Sequence, residues 1–77
     1  MPNTPLRFAP FWPGRWRNAE TGYNIVLDED YGKTFIVYRI DRHGWTQYLR
    51  GRDRIKRFRT FKGAVNAATD AAMRGAT

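Results

Sequence analysis

The 77-residue chain has no cysteine and only one histidine. Disulfides and thiolate chemistry are thereby excluded, and a reducing, cytoplasmic setting is expected. Apolar runs extend over a few residues, far below the roughly 20 that a membrane helix needs, so no membrane partner is expected. The opening MPNTPLRFAPFWPG also lacks the continuous apolar stretch of a secretory signal. Negative charge is scarce too. Seven acidic residues stand against fourteen basic ones, a net +7, with an isoelectric point near 10.6. Such a balance attracts nucleic acid, an anionic membrane or an acidic protein.

What the chain has in abundance is aromatic rings and arginine. Three Trp, four Tyr and five Phe supply large buried area per side chain, enough for one layer of helix against sheet. Ten residues, RGRDRIKRFR (50–59), hold five arginines, one lysine and one aspartate, a net +5 of the chain's +7. Two readings compete for this concentration. Either the segment meets a polyanion, or it is a solvated edge in the arginine-rich product of a GC-rich gene.

All four prolines fall in residues 1–22, which read as an N-terminal extended arm rather than a helix or central strand. Residues 1–6 are expected to be a frayed tail. Residues 7–18, with Phe8, Phe11, Trp12 and Trp16, are expected to form an irregular arm packed on the domain or on a partner. From residue 23 the pattern becomes regular. YNIVL (23–27), KTFIVYRI (33–40) and WTQYLR (45–50) are rich in β-branched and aromatic residues and are joined by the turns DEDYG and DRHG. Over 60–75, Phe61, Val65, Ala68 and Ala72 recur at helical spacing, with Thr60 as N-cap and Gly75 as C-terminal stop. The expected fold is α+β: a three-stranded antiparallel meander over 23–77 with one C-terminal helix on one face, preceded by the arm.

A single helix covers one face of such a sheet. In the second strand Lys33, Phe35, Val37 and Arg39 alternate with Thr34, Ile36, Tyr38 and Ile40. The cations at the ends of the first set predict that it is the open face, with Phe35 and Val37 buried by the arm or presented to a ligand. If the third strand continues, Arg50, Arg52, Arg54 and Lys56 share one side at about 6.6 Å spacing, close to that of successive phosphates. If residues 51–57 form a loop, the spacing is accidental.

Catalytic and metal chemistry find little footing. His43 sits alone in a polar turn, and the adjacent Asp28, Glu29 and Asp30 lack the alternation and glycine of a calcium loop. A non-enzymatic protein without cofactor or metal is expected. RWR (15–17) interleaves a ring with two cations, an arrangement suited to base stacking with phosphate contact, or to a tryptophan anchor with arginines reaching outward.

GKTFIVYRID (32–41) followed by RTFKGAVNAATDAA (59–72) resembles the AP2/integrase-type DNA-binding domains. The likeness rests on the glycine-lysine start of the second strand, the arginine near its end, and Thr60, Phe61, Ala64, Ala67 and Ala68 at the start of the helix. It implies a three-stranded sheet on one helix, with the open face carrying Lys33 and Arg39 into the DNA major groove. YNIVL carries no cation, so the burden of phosphate contact moves to residues 50–59.

The function expected is a small nucleic-acid-binding module, DNA favoured over RNA, phage- or plasmid-encoded, acting as monomer or homodimer. Its phosphate contacts are expected from Arg50, Arg52, Arg54, Lys56, Arg57, Arg59, Lys33, Arg39, Arg15 and Arg17. The rival is a protein-interaction module or inhibitor that docks Trp12, Trp16 and Phe35 with the arginines on an acidic partner.

Overall fold

β-Branched and aromatic residues dominate the two longest strands, and the rest of the sheet assembles outward from them. The computed structural model describes residues 4–30, 32–51 and 54–75. Its elements are β1 (Ala9–Trp12), β2 (Arg15–Arg17), β3 (Tyr23–Asp28), β4 (Thr34–Ile40), β5 (Thr46–Tyr48), β6 (Arg57–Phe58) and α1 (Phe61–Gly75). The protein is α+β, with one antiparallel sheet in the order β1-β2-β3-β4-β5, β6 also paired to β4, and a C-terminal helix. No helix among the described residues is long and apolar enough to cross a membrane.

Three strands and an irregular arm understate this sheet. The arm is a hairpin, closed by Pro13 and Gly14, whose φ of +75° suits glycine. Pro10 sits inside β1, where it is tolerated because β1 is the outermost strand and needs no outward N–H donor. β2 pairs with β3 through Arg15–Val26, Trp16–Ile25 and Arg17–Asn24. The tail expected over 1–6 is also tied down within its described part: the Leu6 N–H donates to Thr69 Oγ1 at 2.9 Å on the helix.

The third strand of the expected meander is interrupted. β5 pairs with the end of β4 through Tyr38–Tyr48 and Ile40–Thr46, and the Leu49 N–H reaches the Val37 carbonyl at 2.9 Å. β6 then pairs with the start of β4, Phe35 opposite Phe58 and Ile36 opposite Arg57. The two short strands therefore lie end to end along one edge of β4. Between them the chain makes an excursion from that edge: Arg50 is bridged to Ile55, the Gly51 N–H donates to the Arg54 carbonyl at 2.9 Å and the Lys56 N–H to the Leu49 carbonyl at 3.0 Å, while residues 52 and 53 lie outside the described residues. Among the described residues, Arg50, Arg54 and Lys56 do not lie along one extended strand.

The helix lies on the face opposite to the one expected. Ile25, Val37, Ala64 and Ala68 are fully buried together, with Phe35, Trp16, Phe58, Phe61 and Val65 packed around them. Phe35 and Val37 thus face the helix, and Ile36, Tyr38 and Ile40 lie on the other side. Two alanines at the contact bring the helix axis close to the sheet, which a larger side chain at either position would prevent. Thr60 caps the helix by accepting the Gly63 N–H at 3.0 Å. A Cβ at Gly63 would stand 3.1 Å from that same hydroxyl, so a larger residue there would ask the cap to shift by a few tenths of an ångström.

Buried Asn18 latches the arm to the sheet. Its Nδ2 donates to the Arg7 carbonyl at 2.9 Å, and its Oδ1 accepts the Thr21 N–H and hydroxyl at 2.8 and 2.7 Å. Asn18→Ala leaves these groups without their partner. It is expected to destabilise the fold by about 2 kcal/mol and lower Tm by roughly 10 °C, measured by thermal and urea unfolding. An unchanged Tm would show that the latch carries no weight.

Candidate nucleic-acid interface

Residues opposite each other on neighbouring strands share a face, so the register reads out the helix-free surface directly. One row across it runs Arg15, Val26, Ile36, Arg57, and the next runs Arg17, Asn24, Tyr38, Tyr48. Arginine ends the first row at both sides, over an aliphatic middle. The second row is polar and aromatic throughout. Arg15 and Arg17 stand about 6.6 Å apart along β2, and Arg57 lies three strand spacings away, about 14 Å.

These side chains are held rather than loose. Arg17 donates from Nε to Asn24 Oδ1 at 3.1 Å, and its guanidinium lies 4.3 Å from the centroid of the Phe11 ring. Asn24 is buried and fixed in turn by its Nδ2 bond to the Gly22 carbonyl at 3.1 Å. Arg15 reaches the Tyr38 hydroxyl at 3.3 Å, and the Tyr38 and Tyr48 rings are 6.0 Å apart. Arg57 is paired with Asp28 at 2.7 Å and bonds Thr34 Oγ1 at 3.3 Å. The ion pair offsets part of the charge at that end of the row, so the cationic excess lies on β2.

The other expected contacts are dispersed. Arg39 is on the helix side of the sheet, its guanidinium 5.4 Å from the Tyr23 ring, and Lys33 occupies the β3–β4 turn with φ of +56°. The expectation that both project from the open face is therefore wrong: one belongs to a turn, and the other covers a ring on the far side. Trp16 and Phe35 form an inward cluster with Phe61, with Trp16 and Phe61 centroids 4.9 Å apart. Trp12 stands at the β1 edge, 68 % exposed, opposite Arg15. Arg50 and Lys56 lie beside the helix at the two ends of the excursion, Arg54 is exposed on its returning side and Arg59 is exposed just before α1. Arg52 lies outside the described residues.

Sequence reasoning passed over Phe11, Asn24, Tyr38 and Tyr48. A partial signal was in β3, where Asn24, Val26 and Asp28 alternate with Tyr23, Ile25 and Leu27, so that both polar residues fall on one side. That alternation marks the solvent face, and antiparallel pairing carries it to Tyr38 and onward to Tyr48.

Two turns bound the face. Asp41 organises the β4–β5 turn: its Oδ1 accepts the His43 and Trp45 N–H groups at 2.9 and 3.0 Å, its Oδ2 accepts from Gln47 at 3.1 Å, and Gly44 supplies φ of +83°. Trp45 beside it is 70 % exposed. At the opposite end Asp28 closes β3 and Glu29 and Asp30 begin the β3–β4 turn, so that end of the face is acidic. No family model, curated protein or solved structure matches the chain.

Both turn carboxyls are held below the ordinary carboxylate range. For Asp28 the main cause is the Arg57 hydrogen bond, followed by the Asp30 N–H. For Asp41 it is the Trp45 N–H, opposed by desolvation. A depressed folded-state pKa contributes stability that is full above the unfolded value near 4 and is lost as pH falls through the folded value. Urea unfolding is therefore expected to show stability dropping below about pH 4, with a shallower drop in Asp28→Asn. An identical acid limb in that variant would remove Asp28 from the explanation.

Proposed function

We propose that this protein is a small, non-enzymatic nucleic-acid-binding module whose ligand is double-stranded DNA, met by the helix-free face of the sheet. The observation that carries the reading is the row Arg15, Val26, Ile36, Arg57, in which cations flank an uncharged centre. Their separation of about 14 Å is comparable to the roughly 12 Å width of the B-DNA major groove. Arg15 meets one phosphate wall with its full charge, Arg57 meets the other as a cation shared with Asp28 at 2.7 Å, and Asn24, Tyr38 and Tyr48 lie between. Arg17, already bound at Nε and stacked on Phe11, reaches outward with its remaining donors. Arg54, on the returning side of the excursion, adds a lateral phosphate contact. The AP2/integrase-type resemblance agrees in using the helix-free face, with Arg15, Arg17 and Arg57 taking the part it gave to Lys33 and Arg39. The acidic β3–β4 turn disfavours one orientation on the duplex.

A second reading has its own observation. Trp12 and Trp45, 68 and 70 % exposed, are large rings of the kind that anchor protein interfaces, and an acidic partner protein would satisfy the arginines equally. Titration of a random-sequence duplex across a salt series separates the two. The expected result is binding with a steep negative salt dependence, reduced by about two units of slope in Arg15→Ala/Arg17→Ala. Failure to bind duplex at low salt would overturn the nucleic-acid reading in favour of the protein partner.

A further inference from the structure

Arg15 and Arg17 face the same way along β2, yet they are held very differently. Arg15 makes a long 3.3 Å bond to the Tyr38 hydroxyl. Arg17 is gripped from two sides: its Nε donates to Asn24 Oδ1 at 3.1 Å, and its guanidinium lies 4.3 Å from the centroid of the Phe11 ring. Both grips are themselves built into the fold. Asn24 is 3 % exposed and anchored through Nδ2 to the Gly22 carbonyl at 3.1 Å. Phe11 is the residue that β1 carries in excess of β2 between Pro10 and Trp12, a bulge of the kind that re-aims a side chain.

A buried amide on a sheet face costs free energy unless it is bonded, and here its oxygen is committed to orienting a cation. Phosphate neutralisation does not require that, because a mobile arginine meets a phosphate oxygen from many directions. Fixing the guanidinium plane matters where two acceptors must be met at once in one orientation. With Nε taken, the paired Nη1 and Nη2 donors remain, and they match the O6 and N7 acceptors that guanine presents in the major groove. The row continues from Arg17 through Asn24, Tyr38 and Tyr48 without a further charge, as a surface laid against base edges requires. We infer that Arg17 is a base-reading residue for guanine, with Asn24 and Phe11 as its positioning residues. This rests on the duplex-DNA function proposed above and gives it a sequence preference. Lysine in its place carries the same charge without the fork.

The test measures binding of the full chain to three double-stranded polymers: alternating G·C, alternating A·T, and alternating G·C with 7-deazaguanine, which lacks the N7 acceptor. The protein is expected to bind G·C about tenfold more tightly than A·T, and to lose that preference on the 7-deaza polymer. Arg17→Lys is expected to bind all three alike with its salt dependence unchanged, because the charge stays in the field of the duplex. Arg15→Lys is expected to keep the preference, and Phe11→Leu to reduce it about threefold. If wild type and Arg17→Lys bind every polymer equally, Arg17 is not a base reader, and the DNA function survives. A preference that persists on the 7-deaza polymer would overturn guanine N7 as the acceptor. If no polymer is bound at low salt, the DNA function itself falls, and this inference with it.

Discussion

Trp16, Phe35 and Phe61 meet in one ring cluster, with centroids 4.9 to 6.0 Å apart and both Phe61 pairs edge to face, and this contact brings three parts of the chain together. Trp16 comes from the N-terminal hairpin, Phe35 from the central strand and Phe61 from the first turn of the helix. A 77-residue chain has only about 4–12 kcal/mol of net stability, and the fully buried cluster beneath the helix is Ile25 and Val37 with two alanines. Large rings in mutual contact supply what so few aliphatic side chains cannot.

The same contact decides which face of the sheet is available. With Trp16 turned toward the helix, its neighbours Arg15 and Arg17 must turn away, because side chains alternate along a strand. The anchor and the cations are two consequences of one parity. The arginine-ended row and the Arg17–Asn24–Tyr38–Tyr48 row follow from that choice through strand register alone. The basic excursion is a separate feature, displaced from the sheet by the break between β5 and β6; its described cations Arg50 and Lys56 lie beside the helix, while Arg57, in β6, belongs to the open face.

Much of the fold was legible in the sequence. The strands at 23–28 and 34–40, the turn at Asp41 to Gly44, the Thr60 cap and the helix all follow from local rules of β propensity, turn chemistry and capping. The hairpin of β1 and β2 was obscured by Pro10, which argues against a strand until the strand is known to be at an edge. The face was misassigned because Lys33 and Arg39 were weighed as part of β4's alternation. Lys33 belongs to a turn, and Arg39 extends over Tyr23. The β3 alternation, free of such end effects, held the correct answer. For residues 51–57 the sequence left strand and loop both open, Gly51 and Asp53 weighing against the alternation of cations, and the pairing of Phe58 with Phe35 places a separate short strand after them. Of the candidate site, Arg15, Arg17 and Arg57 were named from the sequence, while their grouping with Asn24, Tyr38 and Tyr48 needed the register.

The most direct measurement is a double-mutant cycle between Trp16→Leu and Phe61→Leu, read by urea unfolding. Both substitutions keep an apolar side chain and remove the ring-to-ring contact. A coupling energy of about 1 kcal/mol is expected if the cluster clamps the hairpin to the helix. Additive losses, with no coupling beyond about 0.3 kcal/mol, would contradict it and would detach the orientation of Arg15 and Arg17 from the packing of the core.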